Sequence, residues 1–421
     1  MINQRPLDTD PAFENNLAKY ARLAIQVGLN LQAGQRLVIN APIEATALVR
    51  LIATEAYQTG ARLVDVQWED ELLRRIRLQH APRDSLQEYP VWRSRAMEQY
   101  AQAGDAQLFI SGSDPDLTQD QDPQAVATIQ RTNWQHMQPL FDLITKHATN
   151  WSVIAHPVPD WAAKVLPKTP QEQRQAKLWE AIFDICRLRP ADPVAAWNAH
   201  NDELLARSAY LNAKQYQGLQ FSGPGTNLRL GLPAGHVWQS ARFASQAGIP
   251  FTANLPSEEI FTLPHRNEAE GVVTSSRPLS YGNTVIDRFH LRFEKGRVVH
   301  AVADRGEAVL QELVGTDEGA SRLGEVALVP HSSPISQLGL LFFNTLIDEN
   351  AASHLALGRA YNFSLRDGQE MSSDAFLAAG GNHSLTHVDF MIGSEKLDVD
   401  GKRDNGALEP VMRQGEWAFD L

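Results

Sequence analysis

Carboxylates and histidines recur in four short segments of the second half of the chain, and their types and spacing suit metal-assisted hydrolysis. The first, Asn254 to Thr262 (N-L-P-S-E-E-I-F-T), sets Glu258 and Glu259 into an apolar stretch. In a strand these two side chains point to opposite faces, so at most one reaches a shared cavity. Alone, the segment reads as an exposed acidic loop. The second, Leu323 to Pro330 (L-G-E-V-A-L-V-P), opens a strongly apolar strand with Glu325. A carboxylate inside a sheet is costly unless it is paired or bound to a cation, and an exposed strand end is the other reading.

The third segment, Thr345 to Tyr361, holds Asp348, Glu349, His354 and Tyr361. Asp348 reads as the N-cap of a helix starting at Glu349, whose carboxylate would favour the positive end of the dipole. In such a helix His354 and Tyr361, two turns apart, share a face. Capping and ordinary packing explain each of these residues equally well. The fourth segment, Leu385 to Ser394 (L-T-H-V-D-F-M-I-G-S), puts His387 and Asp389 on one side of a strand and Val388, Phe390 and Ile392 on the other. The polar pair is either a metal-ligand pair or a salt bridge. Together the segments offer Glu, His and Asp donors without cysteine. That set suits zinc, cobalt or manganese, as two ions sharing a bridging carboxylate or water. A two-metal phosphoesterase draws on the same residues, and spacing alone leaves both open.

The elements that must position these groups fall into two patterns. In the first half, apolar strands at Arg36 to Asn40, Arg62 to Trp68, Gln107 to Ser111 and Trp151 to His156 alternate with helices. Those helices start at Asp10-Pro11 and near Ile43 to Gln58, Ala125 to His147 and Thr169 to Leu188. This alternation predicts an α/β domain with a mostly parallel, doubly wound sheet. No glycine-rich phosphate-binding motif follows a strand, so nucleotide binding is not expected there. Arg189 to Pro193 breaks the pattern, and a helix follows over Val194 to Ala209. Beyond it come short strands at Leu219 to Ser222, Leu228 to Leu232, Thr284 to Phe293 and Arg297 to Asp304, with a hairpin turn at Glu294-Lys295-Gly296. Helices are expected near Glu307 to Leu313 and Asn350 to Ala360. The expected division is an α/β domain over 1–212 and an α+β, β-rich metal-binding catalytic domain over 213–421.

Composition narrows the partners. The chain has 421 residues, 43% hydrophobic, enough for two cores. A net charge of -12 and the lack of a basic stripe argue against nucleic acid or anionic lipid as partners. The single cysteine, Cys186, lies in an apolar run and reads as a buried hydrophobe, so neither a disulfide nor a thiolate cage is available. The first ten residues lack the pattern of a signal peptide, and no apolar run is long enough to span a bilayer. A cytoplasmic location is the resulting expectation.

The four segments also carry a resemblance. N-L-P-S-E-E-I-F-T-L-P-H-R-N, L-G-E-V-A-L-V-P with S-P-I-S, D-E-N-A-A-S-H-L-A-L-G-R-A-Y, and H-V-D-F-M-I-G-S with D-V-D-G resemble the aminopeptidase T and aminopeptidase S family of thermophilic metallo-aminopeptidases. They stand in that family's order and approximate spacing. The likeness extends to P-A-D-P-V-A-A-W and G-T-N-L-R-L-G-L, covering the second half and, more weakly, the first.

The resemblance implies Glu259, Glu325, His354, His387 and Asp389 as metal ligands, with Glu325 bridging the ions. It implies Tyr361 as the catalytic tyrosine and Glu349 as the general base. It further implies two divalent ions per subunit (zinc, cobalt or magnesium), peptide substrates with a free N-terminus, attack by a metal-activated water, and a homodimer. Arg366 to Asn382 reads as an insertion, and His383 after it competes with His387 for the ligand role. A two-metal hydrolase of another amide or of a phosphoester is the alternative, followed by a non-enzymatic metal-stabilised protein.

Overall fold

The computed structural model describes residues 10–281 and 284–421. Apart from Asp10, the N-terminal stretch read for a signal peptide lies outside the described residues. The chain forms two compact units: Met1–His200 with Phe243–Pro256, and Asn201–Arg242 with Ser257–Leu421.

In the first unit, helix α1 (Pro11–Leu23) begins as its sequence predicts, with Asp10 accepting a hydrogen bond from the Ala12 N–H at 2.9 Å. Strand β1 (Arg36–Pro42) leads through a short 3-10 turn into helix α2 (Thr46–Thr59), which Gly60 closes at φ 101°. Strands β2 (Leu63–Glu69), β3 (Ala106–Ser111) and β4 (Trp151–Ala155) follow, with β5 (Asn254–Leu255) returning late in the chain. Among the described residues these strands form one sheet in the order β2-β1-β3-β4-β5, and every pairing is parallel. Parallel strands need crossovers, and helices such as α2, Val91–Gln102 and Pro123–Thr145 supply them.

The helix Pro193–Lys214 carries the chain into the second unit, which is built on antiparallel sheets. The larger sheet pairs Thr284–Glu294 with Arg297–Arg305 and includes Ala269–Thr274, Thr226–Gly231, Gly218–Gly223 and Asp398–Lys402. Its hairpin turns on Lys295 (φ 49°) and Gly296 (φ 77°), two successive left-handed residues of the kind that suits a two-residue turn between twisted strands.

The smaller sheet holds the four sequence segments. It consists, among the described residues, of β6 (Ile260–Thr262), β7 (Leu323–Leu328), β8 (His354–Gly358) and β9 (His387–Met391), in that order and antiparallel. Val326, Leu328, Leu355, Leu357 and Phe390 point from one face into a core shared with Phe221, Leu228 and Phe289 of the larger sheet. The other face carries the polar groups, alongside Phe261, Ala327 and Met391, which are in register with His354.

The expected helix over Asn350 to Ala360 is not formed, and this is a correction. Thr345–Asp348 makes one short helical turn, Glu349–Ala351 a 3-10 turn, and His354–Gly358 is a fully buried strand. The run A-A-S-H-L-A-L has good helical propensity, but pairing on both sides with β7 and β9 overrides it. Asp348 does stand at the N-cap position of the 3-10 turn, but its side chain caps nothing there: Asn344 caps the helical turn before it, and the Asp348 carboxylate accepts N–H groups of Phe342 and Asn344 at 2.7 and 3.0 Å. Glu349 closes the helical turn and opens a 3-10 turn that ends at Ala351, so there is no long helix whose dipole could act on it.

Candidate metal centre

Strand alternation explains how the donors meet. Glu325 pairs with Ala356 and Ala356 with Asp389, so the three share a face. His354 lies two residues before Ala356, and Gly358 pairs with His387, so both imidazoles join that face. Between the carboxylates of its two neighbours, β8 offers only the small side chain of Ala356, while Gly358 (φ 107°) accommodates the Thr386 carbonyl, 2.1 Å from where a Cβ would lie.

Glu325 owes its direction to an irregularity. Leu323 pairs with Leu357 and Glu325 with Ala356, so the ladder bulges at Gly324. Leu323 belongs to the core, and strict alternation would send Glu325 there too; the extra residue turns it to the polar face. Only glycine fits at the bulge, because a Cβ there would lie 2.4 Å from the carbonyl oxygens of Gly358 and Arg359.

On this face the donors form two groups, Glu259–Glu325–His354 and Glu325–His387–Asp389. In each group the ligand atoms lie within 4.8 Å of one another. His354 Nε2 is 3.2 Å from Glu259 Oε2 and 3.4 Å from Glu325 Oε1. His387 Nε2 is 3.4 Å from Asp389 Oδ1 and 3.9 Å from Glu325 Oε2. The two oxygens of Glu325 thus face different histidines.

The outer ring nitrogens are already engaged. His354 Nδ1 lies 3.1 Å from the Ala352 carbonyl, and His387 Nδ1 2.7 Å from that of Arg359. Donation from Nδ1 to those carbonyls leaves Nε2 facing the carboxylate oxygens, as an N–H donor when the ring is cationic and as a free lone pair for a metal when it is neutral, the outer contact expected of metal-binding histidine. Among the described residues, buried Glu259 Oε2 and Asp389 Oδ1 find no hydrogen-bond partner of proper geometry. Nitrogen and oxygen donors about 2.0–2.1 Å from one ion at tetrahedral angles would be about 3.3 Å apart, close to the spacings found here. The donor set fits divalent metal.

The electrostatics show the same need for positive charge. Burial raises the Glu325 carboxyl to about 7, although His354 and His387 pull it down. Burial disfavours the cationic His387 ring, but Asp389 and Glu325 outweigh it and lift the imidazole to about 9. His354 is raised well above its ordinary value by Glu259 and Glu325 against the same opposition from burial. Burial likewise opposes ionisation of Asp389, but His387 holds it below the usual carboxylate range. Without a metal, protons on the imidazoles supply the balancing charge.

Glu349 and Tyr361 flank the groups. Burial and the charges of Glu259 and Asp389 hold the Glu349 carboxyl well above its ordinary value. The Tyr361 ring lies 4.8 Å from the His387 ring and stacks on Phe363 at 5.1 Å. Its hydroxyl is raised by burial and by Glu325 and Asp389. His383 belongs to neither donor group, and its ring packs on Phe376 at 5.3 Å. Of the acidic pair, Glu259 reaches the centre, whereas the Glu258 backbone N–H is held by Asn350 at 2.7 Å. Both residues lie in the loop before β6, as the acidic-loop reading has it, but they are buried rather than exposed. The carbonyls of Ala352 and Arg359, which orient the imidazoles, left no mark in the sequence because any residue supplies one.

A buried sheet face on which two oxygen-and-imidazole donor groups converge, from segments distant in sequence, is the arrangement of a divalent-metal protein. A model of the thermophilic metalloprotease (M29) family matches residues 13–417, and the chain belongs to that family. It is 48% identical over 406 residues to "Aminopeptidase T" of Thermus thermophilus, covering 96% of this chain and 99% of the relative. It is 47% identical over 409 residues to "Aminopeptidase 2" of Geobacillus stearothermophilus, covering 97% and 99%. The solved structure of wild-type AmpT from Thermus thermophilus superposes with a TM-score of 0.92 at 47% identity, covering 97% of this chain and 100% of that one. The resemblance read from the four segments therefore holds.

Proposed function

We propose that this protein is a metal-dependent aminopeptidase that releases N-terminal amino acids from peptides. Its family and its aminopeptidase relatives support the activity. The observation that carries the two-ion reading is Glu325, whose two oxygens serve separate donor groups. Charge supports the same number. Glu259, Glu325, Glu349 and Asp389 bring four negative charges when ionised, which two divalent ions balance.

In this reading Glu259 and His354 would hold one ion, His387 and Asp389 would hold the other, and Glu325 would serve both. Zinc, cobalt and magnesium are the proposed occupants, and they would supply Lewis acidity and a lowered pKa for water. Glu349 accepts the proton of the attacking water and delivers it to the leaving amine. The Tyr361 hydroxyl donates to the oxygen of the tetrahedral intermediate. The acidic surroundings favour a substrate's α-ammonium group.

Glu349→Gln tests this. The variant should bind both metals with parental affinity and lose at least about 100-fold in kcat on aminoacyl-p-nitroanilides. Near-parental kcat would remove the base role, and turnover of bis-p-nitrophenyl phosphate by the parent would favour a phosphoesterase.

Three finer readings accompany this one. The strand order β2-β1-β3-β4-β5 reverses direction between β2 and β3, which supports a doubly wound sheet. We also propose a cytoplasmic homodimer. Among the described residues no helix is long and apolar enough to cross a membrane. Leu72, Leu73 and Ile76, 56%, 62% and 50% exposed on the helix Glu71–His80, make an apolar face that suits a second copy. Sedimentation of Leu73→Glu should then show a monomer.

A further inference from the structure

Asn350 follows Glu349 directly and is fully buried. Its Oδ1 accepts from the Glu258 N–H at 2.7 Å, and its Nδ2 donates to the Leu346 carbonyl at 3.2 Å and to Glu349 Oε1 at 3.4 Å. One planar amide thus touches three things: the segment that delivers Glu259, the short helical turn before Glu349, and the Glu349 carboxylate. Neither Glu259 nor Glu349 lies within a strand, so sheet register does not hold them.

From this geometry we propose that Asn350 is a positioning residue that sets Glu259 and Glu349 relative to each other. An amide suits the task because acceptor and donors sit on one rigid group. Its acceptor fixes the backbone beside a metal ligand, and its donor turns the adjacent carboxylate. Asp348 braces the same turn from the other side through the N–H groups of Phe342 and Asn344. The half of the proposal that concerns Glu349 rests on its reading as the general base; the half that concerns Glu259 does not.

The test compares Asn350→Ala and Asn350→Asp with the parent. Three properties are measured: thermal midpoint, calorimetric zinc affinity of the metal-stripped protein, and kcat and KM of the zinc-saturated enzyme on an aminoacyl-p-nitroanilide. Asn350→Ala removes both functions, and zinc affinity and kcat should each fall by about 10–100-fold with KM within about 3-fold. Asn350→Asp keeps the acceptor and loses the donor, so zinc affinity should stay within about 3-fold while kcat falls by about 10–100-fold. A role confined to stability would lower the midpoint and leave zinc affinity and zinc-saturated kcat at parental values in both variants, overturning the proposal. If Asn350→Ala does not fold, a parental kcat in Asn350→Asp overturns it. Failure of the base reading is separately visible: Glu349→Gln would keep its kcat, while the zinc affinity of Asn350→Ala would still report on Glu259.

Discussion

At the scale of single residues, Glu325 decides how the two donor groups relate. It is buried, its oxygens face different imidazoles, and without cations its carboxyl sits at about 7. Glu325→Ala should therefore weaken both metals by more than the roughly 100-fold upper range seen for outer partners, whereas Glu259→Ala and Asp389→Ala should each weaken chiefly one. Metal content after dialysis checks this, and loss of a single ion from Glu325→Ala would contradict the bridge. The titrations also set a pH dependence. Metal needs deprotonated ligands, yet His387 holds its proton up to about 9 and Glu325 up to about 7 in the metal-free protein. Zinc affinity should rise from pH 6 to pH 9, with proton release detected by calorimetry in buffers of different ionisation enthalpy. A flat profile over that range would count against these residues as ligands.

Among the elements, the small sheet does the positioning. Alternation along β8 and β9 sorts Leu355, Leu357 and Phe390 to the core and His354, His387 and Asp389 to the polar face. On β7 the same sorting depends on the bulge at Gly324, where neighbouring carbonyl oxygens leave no space for a side chain. Gly324→Ala keeps every ligand but must move backbone, and should destabilise the protein by about 1–3 kcal/mol. It should also weaken zinc binding, because Glu325 loses its direction. Thermal unfolding and calorimetry measure the two effects. A folded Gly324→Ala protein with parental zinc affinity would show that the bulge does not aim Glu325.

For the whole molecule, each compact unit carries its own acid sensitivity. All the candidate site residues lie in the second unit, while His156 belongs to the first. Burial against Trp179, 5.0 Å between rings, lowers the His156 imidazole to about 4. A lowered folded-state pKa means that the unfolded chain binds the proton more readily. This contribution is therefore complete above about 6.5 and is lost as pH falls toward 4, by roughly 3 kcal/mol at most. His156→Phe keeps a ring against Trp179 and removes the titration, so its stability should fall less steeply between pH 6.5 and 4 in denaturant melts. A slope identical to the parent's would show that His156 is not the group responsible.

The sequence alone determined the strands and helices whose patterns are local. The Asp10 cap, the Lys295-Gly296 hairpin and the alternation of His387 and Asp389 against Val388 and Phe390 all follow from neighbours a few residues away. It also disclosed the donor types and, through four matching segments, the family. Tertiary structure decided what local propensity misreads. His354 lies in a strand because β7 and β9 pair with it, although its own segment favours a helix. Phe243–Pro256 returns to the first unit by a parallel pairing of β5 with β4, which no composition signals. Only the folded chain brings Glu259, Glu325, His354, His387 and Asp389 within ligand distance. Their convergence depends on register, a bulge and the small Ala356 between two carboxylates, and these become legible once the strands lie side by side.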